Sequence, residues 1–215
     1  MKIALGQSDE GIIIGNTYDK YNTKNPIARW MLGNFRRCLI DFTESISPHS
    51  IYEAGCGEGY WMICWKKRYG GSFPVRGSDF SDKVIAMAKE NAKQENIDPD
   101  IFSVCSIYDI QPDMVDADLL LCCEVLEHLE NPEAALCNLA AAGCKHYIFS
   151  VPNEPLWSFL NMIRGKYWKS FGNTPGHIQR WNTAAFRNML QKYFIVEKIA
   201  VPLPWTMCLC RRKDN

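Results

Sequence analysis

The sequence predicts a layered α/β fold, a mostly parallel sheet with helices on both faces, and three observations lead there. From Ser50 onward, short apolar runs of strand character alternate with helical patterns, the order that builds parallel sheets. The run Leu119–Cys123 is apolar throughout, as suits a central strand covered on both sides. The 215 residues are 47% hydrophobic and 22% charged, ordinary globular content that excludes wholesale disorder.

Taken in order, Pro26 to Phe42 reads as an amphipathic helix with Ile27, Trp30, Met31, Phe35, Cys38 and Leu39 on one face. Strands are expected at Ile51–Ala54, Val75–Asp79, Ile101–Cys105, Leu119–Cys123 and Tyr147–Val151. Between them lie helices at Tyr60–Arg68, Ser81–Asn96 and Pro132–Ala142. Ser81 is the N-cap of the second, ahead of Val84, Ile85, Met87 and Ala88. Asn131 before Pro132 pairs a cap residue with proline at the first helical position. Leu156, Phe159, Leu160, Ile163 and Tyr167 fit an apolar helical face, with Asn153 and Pro155 as start signals and a turn at residues 172–176. Asn182 caps a helix of about twelve residues ending near Phe194. Two late strands, Ile195–Val201 and Trp205–Cys210, are joined too closely to be parallel, because a parallel crossover needs about a dozen residues. Residues 211–215 read as a frayed polar tail. A single domain is expected, with a helical cover at 16–47, a core at 48–153, a cap at 154–180, and a closing helix and two strands at 181–211.

Composition narrows the function classes. Lys plus Arg equals Asp plus Glu, 24 each, which argues against a dedicated polyanion binder, so nucleic acid is not the expected partner. The ten cysteines include no C-x-x-C pair and no zinc-finger spacing, and most lie in apolar segments. A reduced, cytoplasmic protein is the expected setting. The amino terminus resembles no secretory signal, and no apolar run is long enough to span a bilayer.

The strongest signal is Glu53-Ala-Gly-Cys-Gly-Glu-Gly59, where the first strand gives way to a helix. Alternate glycines allow a sharp turn and close backbone approach to a ligand. A dinucleotide loop would place its third glycine where this chain has Tyr60. An acid two residues before the first glycine suits an ammonium or sulfonium charge instead. Asp79, at the tip of the next strand, is placed to accept hydrogen bonds from both hydroxyls of a ribose.

This loop, Asp79 and the run Leu121-Cys-Cys-Glu-Val-Leu-Glu-His-Leu129 resemble the class I S-adenosylmethionine-dependent methyltransferases. The similarity is to the small-molecule branch that includes ubiquinone-pathway O-methyltransferases, and it covers residues 16 to 210. It implies a Rossmann-like, seven-stranded sheet whose last strand is antiparallel, and S-adenosylmethionine as cofactor. Glu53 and the backbone of Gly55, Cys56 and Gly57 would hold its methionine part. Asp79 would take the ribose and Phe80 would flank the adenine, with Ser106 and Ile107 at the adenine edge. Many relatives have Asp where this chain has Ser106. Cys123 and Glu124 would border the methyl-donor end. From the segment Tyr18-Asp-Lys-Tyr21, Tyr21 or the nearby Lys24 would reach the cofactor carboxylate.

His128 and His177 are the catalytic candidates, as general bases near neutral pH. Two other readings of the same residues stay open. Glu124, Glu127, His128 and His177 are similar to the cluster with which small-RNA 3′-end methyltransferases hold a divalent ion, although no metal is the principal expectation. Alternatively, the acids simply favour a helix start and His128 packs beside the site. The cap holds Trp157, Phe159, Tyr167, Trp168 and Phe171 among Arg164, Lys166 and Lys169. It could enclose an apolar or acidic small molecule, lie on a membrane surface, or stack on bases. The expected function is methyl transfer to an O, N or C nucleophile of an aromatic or apolar small molecule, by a monomer or homodimer. The rivals are a metal-dependent RNA methyltransferase and a non-catalytic cofactor-binding protein.

Overall fold

The computed structural model describes residues 1–9, 12–16, 19–165 and 167–213. Tyr18 and Lys166, named above, lie outside the described residues, as do the last two residues of the expected tail.

The chain begins with a hairpin the sequence did not announce, β1 (Ser8–Asp9) antiparallel to β2 (Ile12–Ile13). The helical cover expected from residue 16 starts only with α1 (Pro26–Ile46). Asn25 caps it, its side chain accepting from the amides of Ile27 and Ala28. The helix runs past the expected end at Phe42 because Phe42 and Thr43 continue its buried stripe. Ile27 and Trp30, expected on that stripe, are instead exposed, since α1 is buried only from Phe35 onward.

The α/β core follows as β3 (Ile51–Ala54), α2 (Tyr60–Tyr69), β4 (Val75–Asp79), α3 (Asp82–Gln94), β5 (Phe102–Val104), α4 (Pro112–Val115), β6 (Leu119–Cys123), α5 (Pro132–Ala141) and β7 (His146–Pro152). Ile101 belongs not to β5 but to a tight turn that Asp98 caps. The chain continues through α6 (Leu156–Ile163), α7 (Thr183–Leu190), β8 (Phe194–Ala200) and β9 (Trp205–Arg212). α7 is shorter than expected because Phe194 leaves it to start a strand, its ring buried against Tyr147 and Phe149. Arg211 and Arg212, expected in the tail, extend β9 beside β7 and β8.

One seven-stranded sheet has the order β5-β4-β3-β6-β7-β9-β8, and β9 pairs antiparallel with both neighbours while the remaining pairs are parallel. Alternation divides the core between the two faces. Ile51, Leu119, Leu121 and Ile148 join Phe35, Leu39 and Trp65 on one side. Tyr52, Leu120, Cys122 and Phe149 join Leu136, Phe186 and Phe194 on the other. From β3 the chain winds outward to β5, then crosses back to β6, so strand order reverses between β3 and β6. Ligands of open α/β sheets bind at such a reversal, beyond the carboxyl ends of the strands.

The apolar face expected on the cap helix points partly outward. The inward face of α6 is polar: the Ser158 hydroxyl donates to Glu154 at 2.8 Å, and the Asn161 amide donates to the Gly172 carbonyl at 2.9 Å and to Thr174 Oγ1 at 3.2 Å. The segment returning under α6 presents backbone that must be paired once buried, so Ser158 and Asn161 turn inward. Phe159 and Ile163 turn outward, and Tyr167 lies beyond the helix. All ten cysteines are free thiols. Among the described residues, no helix is long and apolar enough to cross a membrane.

Candidate active site

The turn after β3 is built by glycine. Gly55 has φ 76, and a Cβ there would meet Val125 Cγ2 at 2.4 Å, so this glycine is required by packing. Gly57, φ 52, has nothing within 4 Å of a built Cβ and opens onto a cleft of about 510 Å³, within the range of small-molecule sites. Its amide donates to Asp79 Oδ2 at 3.1 Å, which ties the loop to the tip of β4.

All the residues expected to hold the cofactor line this one cleft: Tyr21, Glu53, Gly55, Cys56, Gly57, Asp79, Phe80, Ser106, Ile107, Cys123 and Glu124. His128 lines it too, and His177 lines the cavity that adjoins it through Glu124 and His128. Lys24 is exposed and is not among the lining residues. The missing amine is Lys20, which lines the main cleft and both adjoining cavities. Tyr21 stacks on Tyr60 with ring centroids 3.5 Å apart.

The electrostatics are dominated by buried acids. Glu53 is 2% exposed and its Oε2 has no protein partner. Burial, then the charge of Asp79, push its carboxyl well above the usual range, with Lys20 opposing. Asp79 is raised by burial despite accepting backbone hydrogen bonds. Glu124, in the left-handed region at φ 61, accepts from the Trp205 indole while its Oε1 is unpartnered. Burial lifts this carboxyl to about 7. Glu127 is 1% exposed with neither oxygen paired, and burial followed by the Glu124 charge raises it further.

Glu127 is held by its own backbone, whose carbonyl accepts from the amides of Ile178 and Gln179 at 2.9 and 3.0 Å. That strap brings His177 to His128, ring centroids 4.8 Å apart. His128 Nδ1 lies 2.9 Å from the Gly176 carbonyl; a carbonyl only accepts, so Nδ1 carries the proton and Nε2 keeps a free lone pair. Burial lowers His128, and burial with the neighbouring His128 drives His177 down to about 3. Both imidazoles are therefore neutral at physiological pH. Ligand atoms of Glu127, His128 and His177 all lie within 4.8 Å of one another.

Sequence reasoning missed Lys20, Trp205 and Glu58. Glu58, inside the glycine loop and 1% exposed, accepts from the amides of Ala4 at 3.0 Å and Asn16 at 2.7 Å and from the Asn16 side chain at 2.6 Å. It clamps the amino-terminal segment over the cleft. The signal was an acid between two glycines, but its partners are 54 and 42 positions away in the chain.

Comparison with known proteins speaks to the domain and the fold. Residues 51–143 match the profile of a methyltransferase domain. The ubiquinone biosynthesis O-methyltransferase of Coxiella burnetii (strain Dugway 5J108-111) is 27% identical over 138 residues, covering 63% of this chain. The chain spans 57% of the length of that relative. Among solved structures, the magnesium protoporphyrin IX methyltransferase of Synechocystis PCC 6803 with bound SAH superposes with a TM-score of 0.66 at 17% identity, covering 89% of this chain and 90% of that one. A small RNA methyltransferase superposes with a TM-score of 0.64 at 20% identity, covering 84% of this chain and 25% of that one. Residues 51–143 thus match a methyltransferase domain, and the chain has the Rossmann-like fold of the methyltransferase structures on which it superposes.

Proposed function

We propose that this protein transfers the methyl group of S-adenosylmethionine to an oxygen, nitrogen or carbon nucleophile of a small molecule with aromatic or apolar character. The observation that carries the reading is Glu53, a buried carboxylate with an unpartnered oxygen, in the cleft that Gly55 and Gly57 of the loop also line. An acid buried this way needs a cationic donor, and an ammonium next to a sulfonium provides one. When bound, S-adenosylmethionine supplies a methyl group on a positively charged sulfur. Glu53 and the Gly57 backbone would hold its methionine end, Asp79 its ribose, and Phe80, Ser106 and Ile107 its base. Lys20 would meet the carboxylate in place of Lys24.

Most of the acceleration would come from alignment of acceptor and methyl group. An acceptor that keeps its proton needs a base. Glu124, with a carboxyl near 7, and the free Nε2 of His128 are better matched to neutral pH than His177, because efficiency follows the pKa. We take residues 1–215 as one working unit in a cytoplasmic setting. Calorimetric titration with S-adenosylhomocysteine of wild type and Asp79→Ala tests the reading. Micromolar binding that collapses in the variant supports it, provided the variant melts cooperatively. Absence of binding to wild type sinks the central claim.

A second reading has its own support. Glu127 presents two buried, unpartnered oxygens to two neutral imidazoles, a mixed donor set that suits Mg²⁺ or Mn²⁺ with low selectivity. A cation there would be held by Glu127, His128 and His177, with Glu124 adjacent, and would polarise the acceptor. Mn²⁺ should then raise the melting temperature of wild type and leave Glu127→Gln unmoved. An equal response in both proteins removes this reading and leaves the first intact.

A further inference from the structure

We propose that the outer face of the cap, together with the amino-terminal end of α1, docks on an anionic lipid bilayer. Six large apolar side chains stand out from the protein there. Ile27 and Trp30 on α1 are 63% and 55% exposed, Phe159 and Ile163 on α6 are 56% and 66%, and Trp168 and Phe171 beyond α6 are 64% and 77%. They belong to one construction. The α6 face opposite Phe159 and Ile163 spends its hydrogen bonds on Glu154, Gly172 and Thr174. The same anchoring of Gly172 fixes the loop that presents Trp168 and Phe171, and Gly172 further bonds the Tyr167 carbonyl. α1 meets the cap across a narrow channel of about 80 Å³ lined by Ile27, Met31, Leu160 and Arg164. Exposed apolar side chains concentrated this way mark an interaction site.

Charge says what the partner is. The chain is neutral as a whole, yet these two segments carry a net positive charge. Residues 19–37 hold Lys20, Lys24, Arg29, Arg36 and Arg37 against Asp19 alone, a net of +4. Residues 154–180 hold Arg164, Lys166, Lys169 and Arg180 against Glu154, a net of +3, so the rest of the chain carries −7. Among these, Lys24, Arg29, Arg164 and Lys169 are exposed around the apolar side chains. Trp, Phe and Ile ringed by Lys and Arg match a membrane interface, where the rings and aliphatic tips enter the headgroup layer and the cations meet anionic lipid. Four of the six side chains are aromatic and also suit stacking on single-stranded bases, but Ile27 and Ile163 add exposed aliphatic area that stacking does not use.

The small cavity between α1 and α6 lies next to the site, because Lys20 and Trp205 line both. On the methyl-transfer reading above, an acceptor with an apolar portion would pass from the bilayer between α1 and α6. Docking itself does not depend on that reading.

The test is co-flotation of the full chain with phosphatidylcholine vesicles, with and without phosphatidylglycerol. We expect binding to the mixed vesicles that exceeds binding to phosphatidylcholine alone and weakens as salt is raised. The double variant Ile163→Glu/Phe171→Glu should lose partition by about tenfold or more, since each side chain forfeits its apolar burial. Its melting temperature and S-adenosylhomocysteine titration in vesicle-free buffer should match wild type, which separates lost docking from lost folding and from failure of the cofactor reading. No flotation on the mixed vesicles overturns the proposal. So does flotation that the double variant retains in full, or a single-stranded RNA that binds this face more tightly than the vesicles do.

Discussion

Two glycines in one turn provide the sharpest separation of site from scaffold. Gly57→Ala places a methyl group where nothing lies within 4 Å, at φ 52. The left-handed backbone costs a non-glycine residue about 1–2 kcal/mol, which for a chain of this size lowers the melting temperature by roughly 2–8 °C. Gly55→Ala suffers the same backbone penalty and also drives its Cβ to 2.4 Å from Val125 Cγ2 and 3.2 Å from Cγ1. Overpacking of this kind adds about 1–3 kcal/mol, for a total fall of roughly 4–20 °C. Binding should rank the other way at Gly57, because its new methyl projects into the cleft and excludes ligand atoms. Gly57→Ala should therefore fold nearly as wild type and bind S-adenosylhomocysteine at least about tenfold more weakly, the equivalent of ~1.4 kcal/mol. Scanning fluorimetry and calorimetric titration on both variants read the two quantities. Wild-type affinity in Gly57→Ala would refute the placement of the ligand over Gly57. A Gly55→Ala protein as stable as Gly57→Ala would refute the packing argument.

Two further outcomes follow from the same geometry. Glu58→Ala leaves the buried amides of Ala4 and Asn16 without their acceptor, at about 1–3 kcal/mol each. The amino-terminal segment should come loose while the sheet stays folded, and limited trypsin digestion should cut faster at Lys20 and Lys24; an unchanged digestion rate would show that Glu58 is no clamp. The Glu124 contribution to the stability of the free protein should also fall as pH rises from about 5 to about 8, against a gain below about 6.5 from His128 and His177, whose imidazoles burial holds down. The Glu124 carboxyl sits at about 7 in the fold against an ordinary 4.5, so the fold favours the protonated form, and that advantage is lost as pH climbs through 7. At ~1.4 kcal/mol per unit the effect is at most about 3 kcal/mol, with Glu53 and Glu127 displaced in the same direction. Asp9, Asp118, Glu95 and Glu133 are shifted downward by ion pairs and hydrogen bonds at the surface, a weak contribution that is already complete by about pH 5. Glu124→Gln removes this contribution, so the melting-temperature difference, wild type minus variant, should fall as pH climbs through 7, and a difference independent of pH would contradict the burial of Glu124.

The core strands were legible because burial on both faces leaves no alternation to misread. Leu119–Cys123 is apolar at every position and is fully enclosed between β3 and β7. The antiparallel pair at the end followed from a connection too short for a crossover. Three features were not legible, each for a physical reason. The strands β1 and β2 have two residues apiece, too few to show a period. The direction in which the apolar face of α6 points was not legible, because an apolar stripe signals the core only when apolar groups wait there. Under α6 wait the Gly172 carbonyl and Thr174 instead. Lys20, Glu58 and Trp205 act at long range, and the bond from Trp205 to Glu124 joins positions 81 apart, beyond what spacing along the chain reveals.

What was legible in part was the charge of the site, and the structure sharpens its meaning. Glu53, Glu124 and Glu127 are withdrawn from water around the cleft and the cavity that adjoins it, and each is acted on by the single amine of Lys20. Three carboxylates against one ammonium leave negative charge uncompensated, and such burial is unfavourable unless a partner arrives or the acids stay protonated. A dinucleotide site would be repelled by this arrangement, since it must receive two phosphates. A ligand that brings an ammonium and a sulfonium past Glu53, with a divalent ion or an acceptor proton at Glu124 and Glu127, relieves it. The free protein thus holds its acids in a poorly solvated state that cationic ligands improve, so binding selectivity and the expected fall of their contribution to stability at higher pH are two consequences of the same three side chains.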